Sequence, residues 1–199
     1  MKTEEKIEAL VTRLFELGQT INTHHGYPAP VLHPGATETE IKDAERILGK
    51  SFPPSYVSFL RLHNGFERFW GDFWLVGASG PHSRRAFDFI RVLIAIDTEA
   101  RKLLDEQAIQ KFEKSGGFYL PNHLIFGPNF SRAAFLYDRK SLRKDGEMDV
   151  VHWAQDASRC PRYPSFVAML EAAVKDREGE LSKLKRARPR ASKGGRRTG

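Results

Sequence analysis

Cys160 is the single cysteine, and it sits in SRCPRYP with Arg159 and Arg162 beside it. Cations at that distance lower a thiol's pKa, but a nucleophilic thiolate also needs a histidine base carried to it by the fold. Pro161 and Pro164 mark the segment as a loop leading into a helix. His24, His25 and His33 lie close together, and Asp149-x-x-His152 lies far downstream. Neither group has the spacing of a recognised metal motif, and no second thiolate is present to complete one. Residues 77–85, GASGPHSRR, offer backbone N–H groups and two arginines to an anion. They lack the G-K-[ST] ending of a phosphate loop, so a solvated turn is the favoured reading. The carboxylates Asp72, Asp88, Asp138 and Asp156 fall at loop ends, where acids are ordinarily solvated. No catalytic constellation emerges, and neither a metal nor a cofactor is expected.

The elements that would have to position any site come from composition and pattern. The chain has 199 residues, 40% hydrophobic and 29% charged, enough for one domain with a proper core. A lone cysteine excludes an intrachain disulfide framework. The first residues, MKTEEKIEALVTRLFELG, are charged and amphipathic, unlike a signal peptide. No apolar run approaches a membrane span, so a cytoplasmic location is expected. The net charge of +7 arises in residues 182–199, which hold eight Lys or Arg and no acid. Without them, 24 basic and 25 acidic side chains remain of the 32 and 25 in the whole chain. The body is balanced, so overall basicity does not argue for nucleic-acid binding. The expected organisation is one domain over 1–181 and a basic, disordered tail over 182–199, with weak phosphate contact as the tail's alternative role.

Ile7, Leu10, Val11, Leu14 and Leu17 predict a helix over 4–17, stopped by Gly18. The Pro-, Gly- and His-rich HHGYPAPVLHPGA follows as an irregular connector. Thr37 and Glu40 form a capping box for a helix that Gly49 ends. Pro53 or Pro54 suits the first turn of the next helix, which packs Tyr56, Phe59 and Leu60 and leaves through Asn64-Gly65. FWGDFWLV (69–76) reads as a strand, and AFDFIRVLIAI (86–96) contains a second. A helix over 97–114 follows, then three strands in FYLPNHLIFG, RAAFLYDR and MDVVHWA. Lys144-Asp145-Gly146-Glu147 turns the chain between the last two strands. A helix beginning at Pro164-Ser165 closes the domain through Phe166, Met169, Leu170, Ala173 and Val174. The order predicts an α+β fold: a largely antiparallel sheet with helices packed against it, N-terminal helices and a C-terminal closing helix.

Strand alternation puts Phe69 and Phe73 on one face and Trp70 and Trp74 on the other. One face belongs to the core. The other is either covered by helices, the favoured reading, or open to a partner, since aromatics are preferred anchors.

The stretch LGKSFPPSYVSFLRLHNGF resembles the signature of the SUKH superfamily, which contains a fungal cell-wall synthesis regulator and many bacterial immunity proteins. Family members show a helix ending in "E…LG" and then "LP.dY..fl...NG". The matching residues are Glu45, Leu48 and Gly49, then Pro53, Pro54, Tyr56, Phe59 and Leu60, then Asn64 and Gly65. Looser agreement extends over about residues 36–175. One departure is Pro128-Asn129-Phe130-Ser131-Arg132, where the family often carries a Gly/Asp-rich turn. The resemblance implies an α+β binding domain that is not an enzyme. Many bacterial members look like antitoxins that bind one toxin domain, often a nuclease or deaminase; the fungal relative implies a regulatory module for a cellular partner. A nuclease would present a basic face, which acids here would steer. The candidate partner-binding residues are therefore Glu67, Trp70, Asp72, Trp74, Asp149 and Asp156.

Overall fold

The computed structural model describes residues 2–114, 117–155 and 160–187. The order is α1 (Thr3–His25), β1 (Val31–Pro34), α2 (Glu38–Leu48), α3 (Pro54–Leu62), β2 (His63–Trp70), β3 (Phe73–Leu75), α4 (Gly80–Lys102) and α5 (Glu106–Lys114). Then come β4 (Leu124–Pro128), β5 (Ala133–Asp138), β6 (Asp149–Ala154), β7 (Arg162–Tyr163) and α6 (Phe166–Ala187). Two antiparallel sheets form, β1-β2-β3 and β4-β5-β6-β7, with the helices around them. The fold is α+β.

The local signals around the signature act as their chemistry dictates. Glu40 N–H donates to the Thr37 hydroxyl, and the Glu40 carboxylate accepts from Thr37 N–H at 2.8 Å. Gly49 ends α2 at φ 64°, a left-handed conformation cheap only without a Cβ. Glu45 reaches past it to accept from Phe52 N–H at 2.7 Å, tying α2 to the start of α3. Pro54 opens α3, and Glu147, from the turn after β5, accepts from Ser55 N–H and its hydroxyl at 2.7 and 2.8 Å. A carboxylate there meets the unpaired N–H groups and positive end of a helix.

Tyr56 sits where the sheets meet. Val76 N–H, just past β3, donates to the Phe126 carbonyl of β4 at 2.9 Å. The Tyr56 hydroxyl donates to the Val76 carbonyl at 2.7 Å. Its fully buried ring packs on Phe52, Phe59, Phe126, Tyr137 and Phe166, with centroids 5.1–6.0 Å away. Burial pushes the phenol well above its ordinary pKa, so it stays a donor.

Several expectations are corrected. Helix α1 passes through Gly18 and ends at Gly26. Gly18 is buried on the packed face, where a Cβ would stand 3.2 Å from the Pro30 ring. The Pro-rich connector contains β1. Residues 69–76 are not one strand but the end of β2, a turn at Gly71-Asp72, and β3. Residues 86–96 are helical, inside α4. Asn64-Gly65 does not end α3, which gives way to β2 at His63. Helix α6 continues through Ala187, so residues 182–187 of the expected tail are helix. Residues 188–199 lie outside the described residues.

Tyr56→Phe should cost about 1–2 kcal/mol, and Tyr56→Ala about 3–5 kcal/mol or more, in urea unfolding. Equal stability of wild type and Tyr56→Phe would contradict the role given to the hydroxyl. Burial lowers the pKa of His63, His123 and His152, and in His123 it outweighs the attraction of Asp138. The unfolded chain, with imidazoles near 6.5, therefore binds protons that the folded chain refuses. Stability should be full above about 6.5 and fall as pH drops toward about 5. A thermal midpoint that is flat or rising on acidification would contradict this.

Candidate partner-binding surface

Asn64 and Gly65 seat the beginning of α4. The Asn64 side-chain carbonyl accepts from the backbone N–H groups of Ala78 and Ser79 at 2.6 and 3.2 Å. Its amide donates to the Ser79 hydroxyl at 2.9 Å. Ser79 in turn donates to Glu40 at 2.6 Å, and His82 Nε2 donates to the Asn64 carbonyl at 2.7 Å. Gly65 has φ 102°, and a Cβ there would stand 3.0 Å from Gly77 N, so only glycine fits. GASGPHSRR is thus the seated start of a helix rather than a free turn.

From there α4 buries only its first half, through Ser83, Ala86, Phe87 and Ile90. Beyond Ile90, Leu93 and Ile94 still pack in part against the core, while Val92 is 56% exposed and Ile96 59%; just past the end of α4, Leu103 is 87% exposed and Leu104 46%. A groove of about 190 Å³ runs along this face between Phe89, Val92, Leu93, Ile96, Leu120 and Trp153. The acid in it, Asp97, accepts from Leu120 N–H at 2.9 Å, and burial raises its pKa. The groove is mainly apolar, with Asp97, Ser131 and Gln155 as its polar lining. Trp74 stands at its end: its ring meets Phe130 at 4.6 Å, Phe130 meets Phe89 at 5.3 Å, and the Arg85 guanidinium lies over Trp74 at 5.5 Å.

The other residues singled out from the sequence are scattered. Trp70 packs on Phe135 at 5.6 Å and donates its indole N–H to Asp176 at 2.8 Å. It shares a different cleft with Asp72. Phe69 and Phe73 pack on the same Phe135 ring, at 5.8 and 4.9 Å. Simple alternation fails because the register shifts between Phe66 and Trp70, with Arg68 at φ 57°, and the turn follows at once. Glu67 pairs with His33 at 3.0 Å and Arg68 at 3.6 Å. Asp149 pairs with Arg143 at 2.8 Å and Arg162 at 3.8 Å. Asp156 lies outside the described residues. The acids thus assemble no common face, and two of them are matched by cations of the chain itself.

Cys160 is half-buried, and Arg162 donates to Asp138 at 2.6 Å. His33 stacks on His82 at 3.7 Å. Among the described residues no group of three or more His, Cys, Asp and Glu is placed to hold a metal ion, and no helix is long and apolar enough to cross a membrane.

The family model of the SMI1/KNR4 proteins (SUKH-1) matches residues 35–172. The chain belongs to the SMI1/KNR4 family. The matched region holds Tyr56, the Asn64 clamp and all of α4, while α1 precedes it. No curated protein matches the chain.

The α4 face was missed in the sequence because the β-branched run 86–96 reads as a strand. The usable signal was the recurrence of Phe89, Leu93, Ile96 and Ala100 at helical spacing. If Asn64 seats α4, Asn64→Ala should cost about 1–3 kcal/mol in urea unfolding, because it strands the Ala78 and Ser79 N–H groups. A loss below about 0.5 kcal/mol, the range of an ordinary surface change, would contradict the clamp.

Proposed function

We propose that the chain is a non-enzymatic protein-binding domain of the immunity type, which neutralises a toxin domain by docking on it through the outer face of α4. One observation carries the reading: Val92 and Ile96 are exposed along an apolar groove, and Leu103 and Leu104 are exposed just past the end of the same helix. A contiguous apolar patch is the usual mark of a protein contact. Membership of the SMI1/KNR4 family supports a protein-interaction role in general.

The affinity of such a contact would come from apolar burial and the aromatic end of the groove at Trp74, with charge at the rim. Arg91 pairs with Asp88 and Lys102 with Glu99 on the same helix, so the rim is mixed in sign. Steering by an acidic face is not part of the proposal, because Glu67, Asp72 and Asp149 do not converge.

The test is co-expression with a toxin domain encoded beside this gene. Wild type should restore growth. The double variant Val92→Asp, Ile96→Asp should lose rescue and bind at least about tenfold more weakly, as for central apolar anchors. Its melting temperature should stay close to that of wild type, because both side chains are exposed. Full rescue by the double variant would contradict the α4 face, and failure of wild type to bind or rescue would contradict the immunity reading.

A further inference from the structure

A second cleft, of about 450 Å³, opens between α1, the β2–β3 turn and α6, and shares no lining residue with the α4 groove. Arg68, Trp70, Asp72, Asp176, Arg177 and Glu180 give it its polar character. Arg177 is only 4% exposed. Its Nη1 donates to Glu180 at 2.8 Å, but Nε and Nη2 are buried without an acceptor. A buried guanidinium with two unmet N–H groups is costly. The Nε–Nη2 edge is also the planar fork that takes a carboxylate through two parallel hydrogen bonds.

The remaining charges of the cleft divide into engaged and available groups. Arg68 donates to the Ala29 carbonyl at 2.9 Å and pairs with Glu67. Glu180 holds Arg177 and lies 3.5 Å from His25 Nε2. Asp176 accepts the Trp70 indole through Oδ2, which leaves Oδ1 available. Asp72 stands exposed on the turn between β2 and β3. The cleft therefore has available carboxylate oxygens on its walls and, behind the lining residue Arg177, an unmet cationic fork that is closed to water. Three carboxylates, Asp72, Asp176 and Glu180, disfavour a dianion such as phosphate by repulsion. A cleft of this size suits a small molecule.

We propose that this cleft binds a zwitterion of the amino-acid class. Its carboxylate takes the Nε–Nη2 edge of Arg177, and its ammonium is held by Asp72 and Asp176 beside the Trp70 ring. The two N–H groups are closed to water in the free chain, so the Arg177 side chain turns toward the cleft as the carboxylate arrives.

Calorimetric titration of the full chain with the twenty free L-amino acids, their carboxamides and N-acetyl derivatives, acetate and inorganic phosphate tests this. At least one free amino acid should bind. Its carboxamide and its N-acetyl derivative should each bind about tenfold or more weakly, as expected for loss of one charged partner. Asp72→Asn, on an exposed turn, should weaken binding without lowering the melting temperature. Arg177→Gln should abolish binding; if it fails to fold, Asp72→Asn and the derivatives decide. Binding of acetate or phosphate alone with equal strength, binding indifferent to the derivatives and to Asp72→Asn, or no binding by any free amino acid would overturn the proposal.

Discussion

The hydrogen bond from the Tyr56 hydroxyl to the Val76 carbonyl lies where a three-stranded and a four-stranded sheet meet. Neither sheet is large, and β3 spans only Phe73–Leu75. Small sheets need packing on a face to be stable. The Tyr56 ring supplies it for the four-stranded sheet through Phe126 of β4 and Tyr137 of β5 and draws in Phe166 from α6, while its hydroxyl ties on the end of β3 at Val76. Edge-on contacts of this kind add to simple burial. A helix of nine residues thus holds together elements from four parts of the chain.

Two consequences follow for function. The strand leaving α3 carries Asn64 and Gly65 to the loop after Val76, and their hydrogen bonds set where α4 begins. With its first half buried on the sheets, α4 presents its second half in a fixed orientation. A preorganised apolar face loses less entropy on docking than one that must order first. The family signature is in this sense the support for the start of α4, and for the proposed partner surface rather than that surface itself.

What the sequence revealed follows from how local each interaction is. The Thr37–Glu40 box, the Gly49 stop, Pro54 at the first turn and the packed Tyr56, Phe59 and Leu60 all act within a few residues, and each was legible. Strands β4, β5 and β6 were legible from their apolar runs. Gly18 was misread because its role is tertiary: it makes room for Pro30 inside α1. The 86–96 segment was misread because Val, Ile and Phe favour strands and packing overrode the preference. Asn64-Gly65 carries helix-exit chemistry, but the partners that use it, Ala78, Ser79 and Gly77, lie twelve or more residues away. Of the six candidate contact residues, Trp74 reaches the α4 face. Trp70 and Asp72 share the cleft beside α6. Glu67 and Asp149 pair internally, because ion pairing depends on contacts that no spacing reveals.

We propose that the matched scaffold presents the outer face of α4 to a partner. Hydrogen–deuterium exchange of the full chain, alone and with a toxin domain encoded beside its gene, tests it most directly. New protection is expected in residues 89–104 on binding, with the core around Tyr56 equally protected in both states. Protection confined to α1, α6 or the turn after β5, with residues 89–104 unchanged, would contradict it.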